Sequence, residues 1–187
     1  MGIPKYDSVI DSSNIAARTT VHRLLVEQLG RLYDAECHLA REIPSFVDIT
    51  FASRLKTLLA NWLIEIGMSR LELGQIAEQF NVTSLQGISR RMRSILAQER
   101  NQVERIKEAS RCDSAAAAYA VQELDHLLTG YGAAGAYAEE LGAFAVANEL
   151  SAMTSMKEQR KKDFHALIEQ QLRRDIHFPL LATYENF

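Results

Sequence analysis

Apolar residues recur at alternating steps of four and three through Leu25, Leu29, Leu32, Leu39 and Ile43, which puts them on one face of a helix. The stripe has one irregular member: position 36 carries a carboxylate, Glu36. "DSSN" at 11–14 offers N-cap side chains, so a first long helix is predicted from there to Ile43, with Pro44 as its stop. A second helix is predicted from about Asp48 to Phe80, with a stripe of Leu59, Leu63, Ile66, Leu73 and Phe80 that Arg70 and Ala77 complete.

Residues 81–113 read as a polar connection with a shorter helix of its own, because Ile88, Met92 and Ile95 keep amphipathic spacing. Asp113-Ser114 is predicted to cap a third long helix reaching about Gly142. Its stripe, running Ala117, Ala120, Leu124, Leu127, Tyr131, Ala134, Ala138 and Leu141, carries no charge. A fourth helix follows over roughly 143–173, and its stripe, Leu150, Met153, Lys157, Arg160, Phe164 and Leu167, contains two cations. No segment alternates with the period of a strand. Two long helices, a long crossover and two more long helices predict an all-α, ferritin-like four-helix bundle with a helical crossover between the second and third helices. The predicted divisions are a loose N-terminal arm over 1–12, the bundle over 13–173, and an apolar, aromatic tail over 174–187 that packs on the bundle or on a partner subunit.

Composition narrows the functional classes. The chain has 187 residues, enough for one domain, and its net charge of −3 gives no general reason to expect nucleic acid or an anionic membrane surface. The basic runs at 90–93 and 157–162 read as helix faces. Cys37 and Cys112 are the only cysteines, and without a secretory pattern they read as reduced thiols of a cytoplasmic protein. No apolar run reaches the roughly 20 residues needed to span a bilayer. Phosphate loop, nucleophile triad and zinc spacings are all missing from the sequence.

A carboxylate in a helical seam needs a partner, a raised pKa or water. Ferritin-like di-metal bundles provide one solution, with inward carboxylates from each helix around two cations. The plain alternative puts Glu36 at a fraying edge of the stripe, in reach of solvent. The stretches "LYDAECHLAREIP", "LIEIGMSRLELGQI", "YGAAGAYAEELG" and "ANEL" resemble the YciE/YciF family of bacterial stress-associated ferritin-like proteins. That resemblance extends over about residues 20–172. It implies a four-helix bundle with a carboxylate-rich metal site, commonly as a dimer, and no assigned biochemical activity.

Carried over residue by residue, the site implied by the resemblance is depleted. Glu36 and Glu65 match family glutamates, but Trp62 replaces a histidine. The family's third-helix motif falls either on Leu124 to Leu127 or, one residue on, across Asp125 and His126. Met156 and Lys157 replace the glutamates of the fourth helix. Two readings follow. In the first, no metal or other cofactor is expected: Lys157, with Arg160 and Arg70, neutralises Glu36 and Glu65, and the chain is a structural or interaction protein, as a homodimer. The alternative to it has Lys157 and Arg160 snorkel outward to water. In the second, Glu36, Glu65, Asp125 and His126 hold iron or manganese in an oxidase or iron-binding stress protein. A catalytic residue is not assigned in either reading, and the tail is a candidate dock for a protein partner.

Overall fold

A computed structural model describes the backbone of residues 7–82, 85 and 109–181, and the side chains of residues 14–82, 85 and 112–170. The helices are α1 (Asp7–Ile49), α2 (Ser53–Gln79), α3 (Ala109–Glu140) and α4 (Phe144–Leu181). The short helix expected around Ile88, Met92 and Ile95 lies outside the described residues, as do the ends of the chain.

Helix α1 packs on α2 and α3, and α4 packs on the same two helices, so α1 and α4 face each other across the diagonal. Contacts along the helices fix their directions. On α1 and α3, the Phe51–Asp113, Glu36–Tyr131 and Arg18–Leu141 contacts descend one helix while climbing the other. On α2 and α4, Arg54–Gln170, Trp62–Phe164 and Glu65–Arg160 do the same. Phe80, just past the end of α2, lies edge-on to His22 near the start of α1. Helix α3 begins at the opposite end, beside Phe51. The crossover therefore returns along the bundle by the length of α2, whose 27 residues span about 40 Å. This is the ferritin-like connectivity.

Several predicted boundaries move. Pro44 does not end α1, which continues to Ile49. Proline removes one backbone donor and crowds the preceding turn. Its exposed position leaves Ile43, Phe46 and Thr50 on the buried face, where Phe46 stacks on Tyr119 at 4.7 Å. Helix α2 starts at Ser53, and its buried face runs through Leu59, Trp62, Ile66, Ser69 and Leu73. Leu63 is half-buried and Arg70 lies off the seam, so two members of the predicted stripe give way to Trp62 and Ser69, while Leu59, Ile66, Leu73 and Ala77 keep their buried places. Helix α4 reaches Leu181, so residues 174–181 extend it as helix.

The helix ends are chemically explicit. Gly142 takes φ +75°, its N–H bonds Glu139 O at 2.8 Å, and the Ala143 N–H bonds Ala138 O at 2.8 Å. That is a Schellman stop, with glycine in the left-handed position. Asn81, at φ 60°, serves the same role after α2. Asp113 lies inside α3 and does not cap it. Its carboxylate accepts the N–H groups of Phe51 and Ala52, at 2.8 and 2.9 Å, at the corner between α1 and α2. One side chain thereby fixes the α1–α2 turn to the first turns of α3. Asp113→Ala is expected to destabilise the protein by about 1–3 kcal/mol, since two donors lose a charged acceptor. Urea denaturation checks this, and an unchanged midpoint would reject the role.

Candidate functional site: a buried charge at the centre of the bundle

Each helix contributes one polar side chain to the middle layer of the core. Glu36 comes from α1, Ser69 from α2, Tyr131 from α3 and Lys157 from α4, and Glu36, Ser69, Tyr131 and Lys157 all have 0% exposure. The heptad-like stripes that bury Leu32, Leu39, Leu127, Ala134 and Met153 carry these four residues inward with them. Tyr131 Oη donates to Glu36 Oε1 at 2.8 Å. Lys157 Nζ, reaching across the diagonal, lies 2.8 Å from the same oxygen. That ammonium is also 6.0 Å from the centre of the Tyr131 ring.

The second carboxylate oxygen, Oε2, has no hydrogen-bond donor among the described residues, and Ser69 Oγ likewise closes no regular hydrogen bond. Ser69 nevertheless favours the ionised carboxylate electrostatically. Burial raises the Glu36 carboxyl above its ordinary value, while Lys157, Tyr131 and Ser69 draw it partway back. The Tyr131 hydroxyl is held well above its ordinary range by burial and by the neighbouring Glu36, so it stays protonated and donates.

Glu65 belongs to a second pair. Arg160 donates to it through Nε, at 3.2 Å from Oε2, and through Nη2 to Oε1, a two-point contact at 13% and 24% side-chain exposure. Arg160 also reaches Asp163, one turn along α4, at 3.5 Å. The expected single cluster is therefore two pairs, Glu36 with Lys157 and Glu65 with Arg160. Arg70 joins neither: its guanidinium lies 5.8 Å from the Tyr33 ring centre, on the flank between α1 and α2. One residue of helical rotation explains this, because the seam passes through Ser69.

Asp125 and His126 do not join Glu36 and Glu65 either. Leu124 and Leu127 fill the core, which turns both intervening residues to solvent, where Asp125 meets Lys161. Among the described residues, no three of His, Cys, Asp and Glu come together as a metal would require. The four-residue iron or manganese set does not fit the geometry: its two exposed members point away from the buried layer, and Lys157 Nζ lies against Glu36.

Sequence reasoning missed Tyr131 and Ser69 as members of the layer, and Asp113 as a corner tie. Tyr131 gave a usable signal, because a tyrosine inside a charge-free seam needs a partner for its hydroxyl. Ser69 gave none beyond its place in the corrected stripe.

These features define an all-α four-helix bundle whose central layer holds a protein-internal charge pair. The chain belongs to the family described as a domain of unknown function, DUF892, which matches residues 20–177. Among solved structures it is similar to "YcfI, a putative structural protein from Rhodopseudomonas palustris". The two are 19% identical, with a TM-score of 0.73 over 78% of this chain and 92% of that one. At that identity the likeness speaks for the fold. No curated protein matches. No helix of the described residues is long and apolar enough to cross a membrane.

Two outcomes follow from the layer. Glu36→Gln and Lys157→Met should each cost about 3–5 kcal/mol, because each strands its partner, whereas the double variant should be far milder than their sum. Additive losses in denaturant titrations would reject the coupling. The pH dependence carries a definite sign. A folded carboxyl raised above its ordinary 4.5 means the native state binds this proton more tightly than the unfolded chain. Stability from this group is full below 4.5 and is lost as pH rises through the raised folded value. Relative to the double variant, wild-type stability should fall with rising pH in that window, by up to about 1.4 kcal/mol per unit. A pH-independent difference would contradict it.

Proposed function

We propose that this protein is a metal-free structural protein on a ferritin-like scaffold, in which a lysine takes the place that a metal centre holds in the relatives it resembles. The observation that supports this most directly is Lys157 Nζ at 2.8 Å from Glu36 Oε1, both fully buried. A cation cannot bind a carboxylate oxygen already in contact with an ammonium group without displacing it. The adjacent pair, Glu65 and Arg160, removes a second carboxylate from any ligand set. The description of the R. palustris neighbour as "a putative structural protein" agrees with this reading.

Within the broader family, the resemblance of "LYDAE" at 32–36 to the YciE/YciF proteins supports a cytoplasmic, stress-associated setting, and a homodimer as the working form. The C-terminal tail remains a candidate dock for a protein partner. Its residues beyond Leu181 lie outside the described structure.

Elemental analysis separates this reading from a working metalloprotein. Protein purified from cells grown with added iron and manganese should carry well under one equivalent of either metal per chain, and its melting temperature should not respond to a chelator. About two tightly held metals per chain, the complement of a di-metal bundle, would overturn the proposal.

A further inference from the structure

Three hydrogen-bonding groups of the central layer are unmet among the described residues. Glu36 Oε2 and Ser69 Oγ have no partner there. Lys157 Nζ touches Glu36 Oε1 at 2.8 Å as an ion pair, but it closes no regular hydrogen bond. All three residues have 0% exposure, so none of these groups reaches the surface. A buried polar atom without a partner is costly, and native proteins rarely leave several in one place.

Ser69 is the most informative of the three. Other helix hydroxyls of the chain bond the carbonyl one turn back: Thr50 bonds Phe46 O at 2.6 Å, Thr129 bonds Asp125 O at 2.9 Å, and Thr154 bonds Leu150 O at 2.8 Å. Ser69 forgoes that local carbonyl. Its hydroxyl acts on both the Glu36 carboxyl and the Tyr131 hydroxyl, which faces it into the layer, yet it bonds neither with regular geometry. It is also a small residue between Ile66 and Leu73 on the buried face of α2. Helices α2 and α4 make the sparsest contacts of the four adjacent pairs, so the layer is loosest on that side.

We propose that this side of the layer is a binding site for one internal water molecule, held between Glu36 Oε2, Ser69 Oγ and Lys157 Nζ. The water donates to the carboxylate oxygen and accepts from the ammonium. It shares a third hydrogen bond with the serine hydroxyl, whose proton can point either way. Three bonds to otherwise unmet groups is the usual state of a buried water. The two charges select the ligand. Lys157 repels a cation and Glu36 repels an anion, so a small neutral molecule that both donates and accepts is what fits. Glu65 and Arg160, one turn away along α2 and α4, are partly exposed and give the water a polar route for exchange with solvent.

The bound water gives the layer its fourth tie. Tyr131 and Lys157 already fasten α3 and α4 to Glu36 on α1, and the water brings in α2 through Ser69. The inference rests on the metal-free reading and names what completes its central site.

Water-deuteron magnetic relaxation dispersion on the full chain counts long-lived internal waters. Ser69→Val removes the hydroxyl and fills its surroundings with methyl groups, so it should lower the count by one relative to the wild type. A wild-type crystal structure gives an independent reading, whatever the variant does to folding. It should show one peak without anomalous signal at about 2.7–3.2 Å from all three atoms. An unchanged count in a folded Ser69→Val variant would overturn the proposal. So would a wild-type structure with no peak there, or with Ser69 Oγ bonded directly to Glu36 Oε2. An anomalous metal peak in that place would overturn the metal-free reading as well, which tells the two failures apart.

Discussion

The structure depends on how one buried carboxylate is kept. Glu36 lies in the central layer of a helix bundle with no exposed surface, and an isolated charge there would cost more than a protein of this size can spare. Tyr131 and Lys157 converge on one of its oxygens, from the neighbouring and the diagonal helix. Such a pair adds little net stability, because desolvation of both ions offsets their attraction. What it does impose is geometry. Lys157 meets Glu36 only if α4 keeps its rotation and height relative to α1, and Tyr131 sets the same condition on α3.

The remaining polar contacts repeat that logic at the ends of the bundle. Asp113 ties the first turns of α3 to the corner between α1 and α2. Arg54 bonds Gln170 at 2.6 Å, and Arg18 reaches Leu141 O, so α1 and α3 are tied near both ends as well as the middle, and α2 and α4 near one end and the middle. Between these ties the core is mostly apolar, with Thr50 and Glu123 as further buried polar residues. Small residues on α3 bring it close to α1: a Cβ on Gly130 would lie 2.7 Å from Leu32 Cδ2. Specificity comes from a few placed polar groups, and cohesion from leucine and alanine packing.

The fold was legible because it rests on periodicity. The α1, α3 and α4 stripes could be read from the sequence, and Glu36 and Lys157 stood out as charges in seams of Leu, Ala and Met. The misreadings have local causes. Pro44 was taken as a stop because a proline's effect on its own turn is visible in sequence, whereas the burial of Phe46 beyond it is a tertiary effect. Two positions of the α2 stripe were misassigned: Leu63 and Trp62 are both apolar, and Arg70 was taken where Ser69 is the buried residue. Asp113 has the composition of an N-cap, and nothing local says that the N–H groups it accepts belong to residues more than sixty positions earlier. Asp125 and His126 resembled ligands by identity, but the apolar neighbours on either side determined which way they face.

The bundle thus holds its internal charge with its own side chains. The most direct measurement is an X-ray structure with anomalous data collected at the iron and manganese edges. The account predicts density for the Lys157 Nζ against Glu36 Oε1, and no anomalous peak within bonding distance of Glu36 or Glu65. An anomalous peak there, with Lys157 turned away, would contradict it.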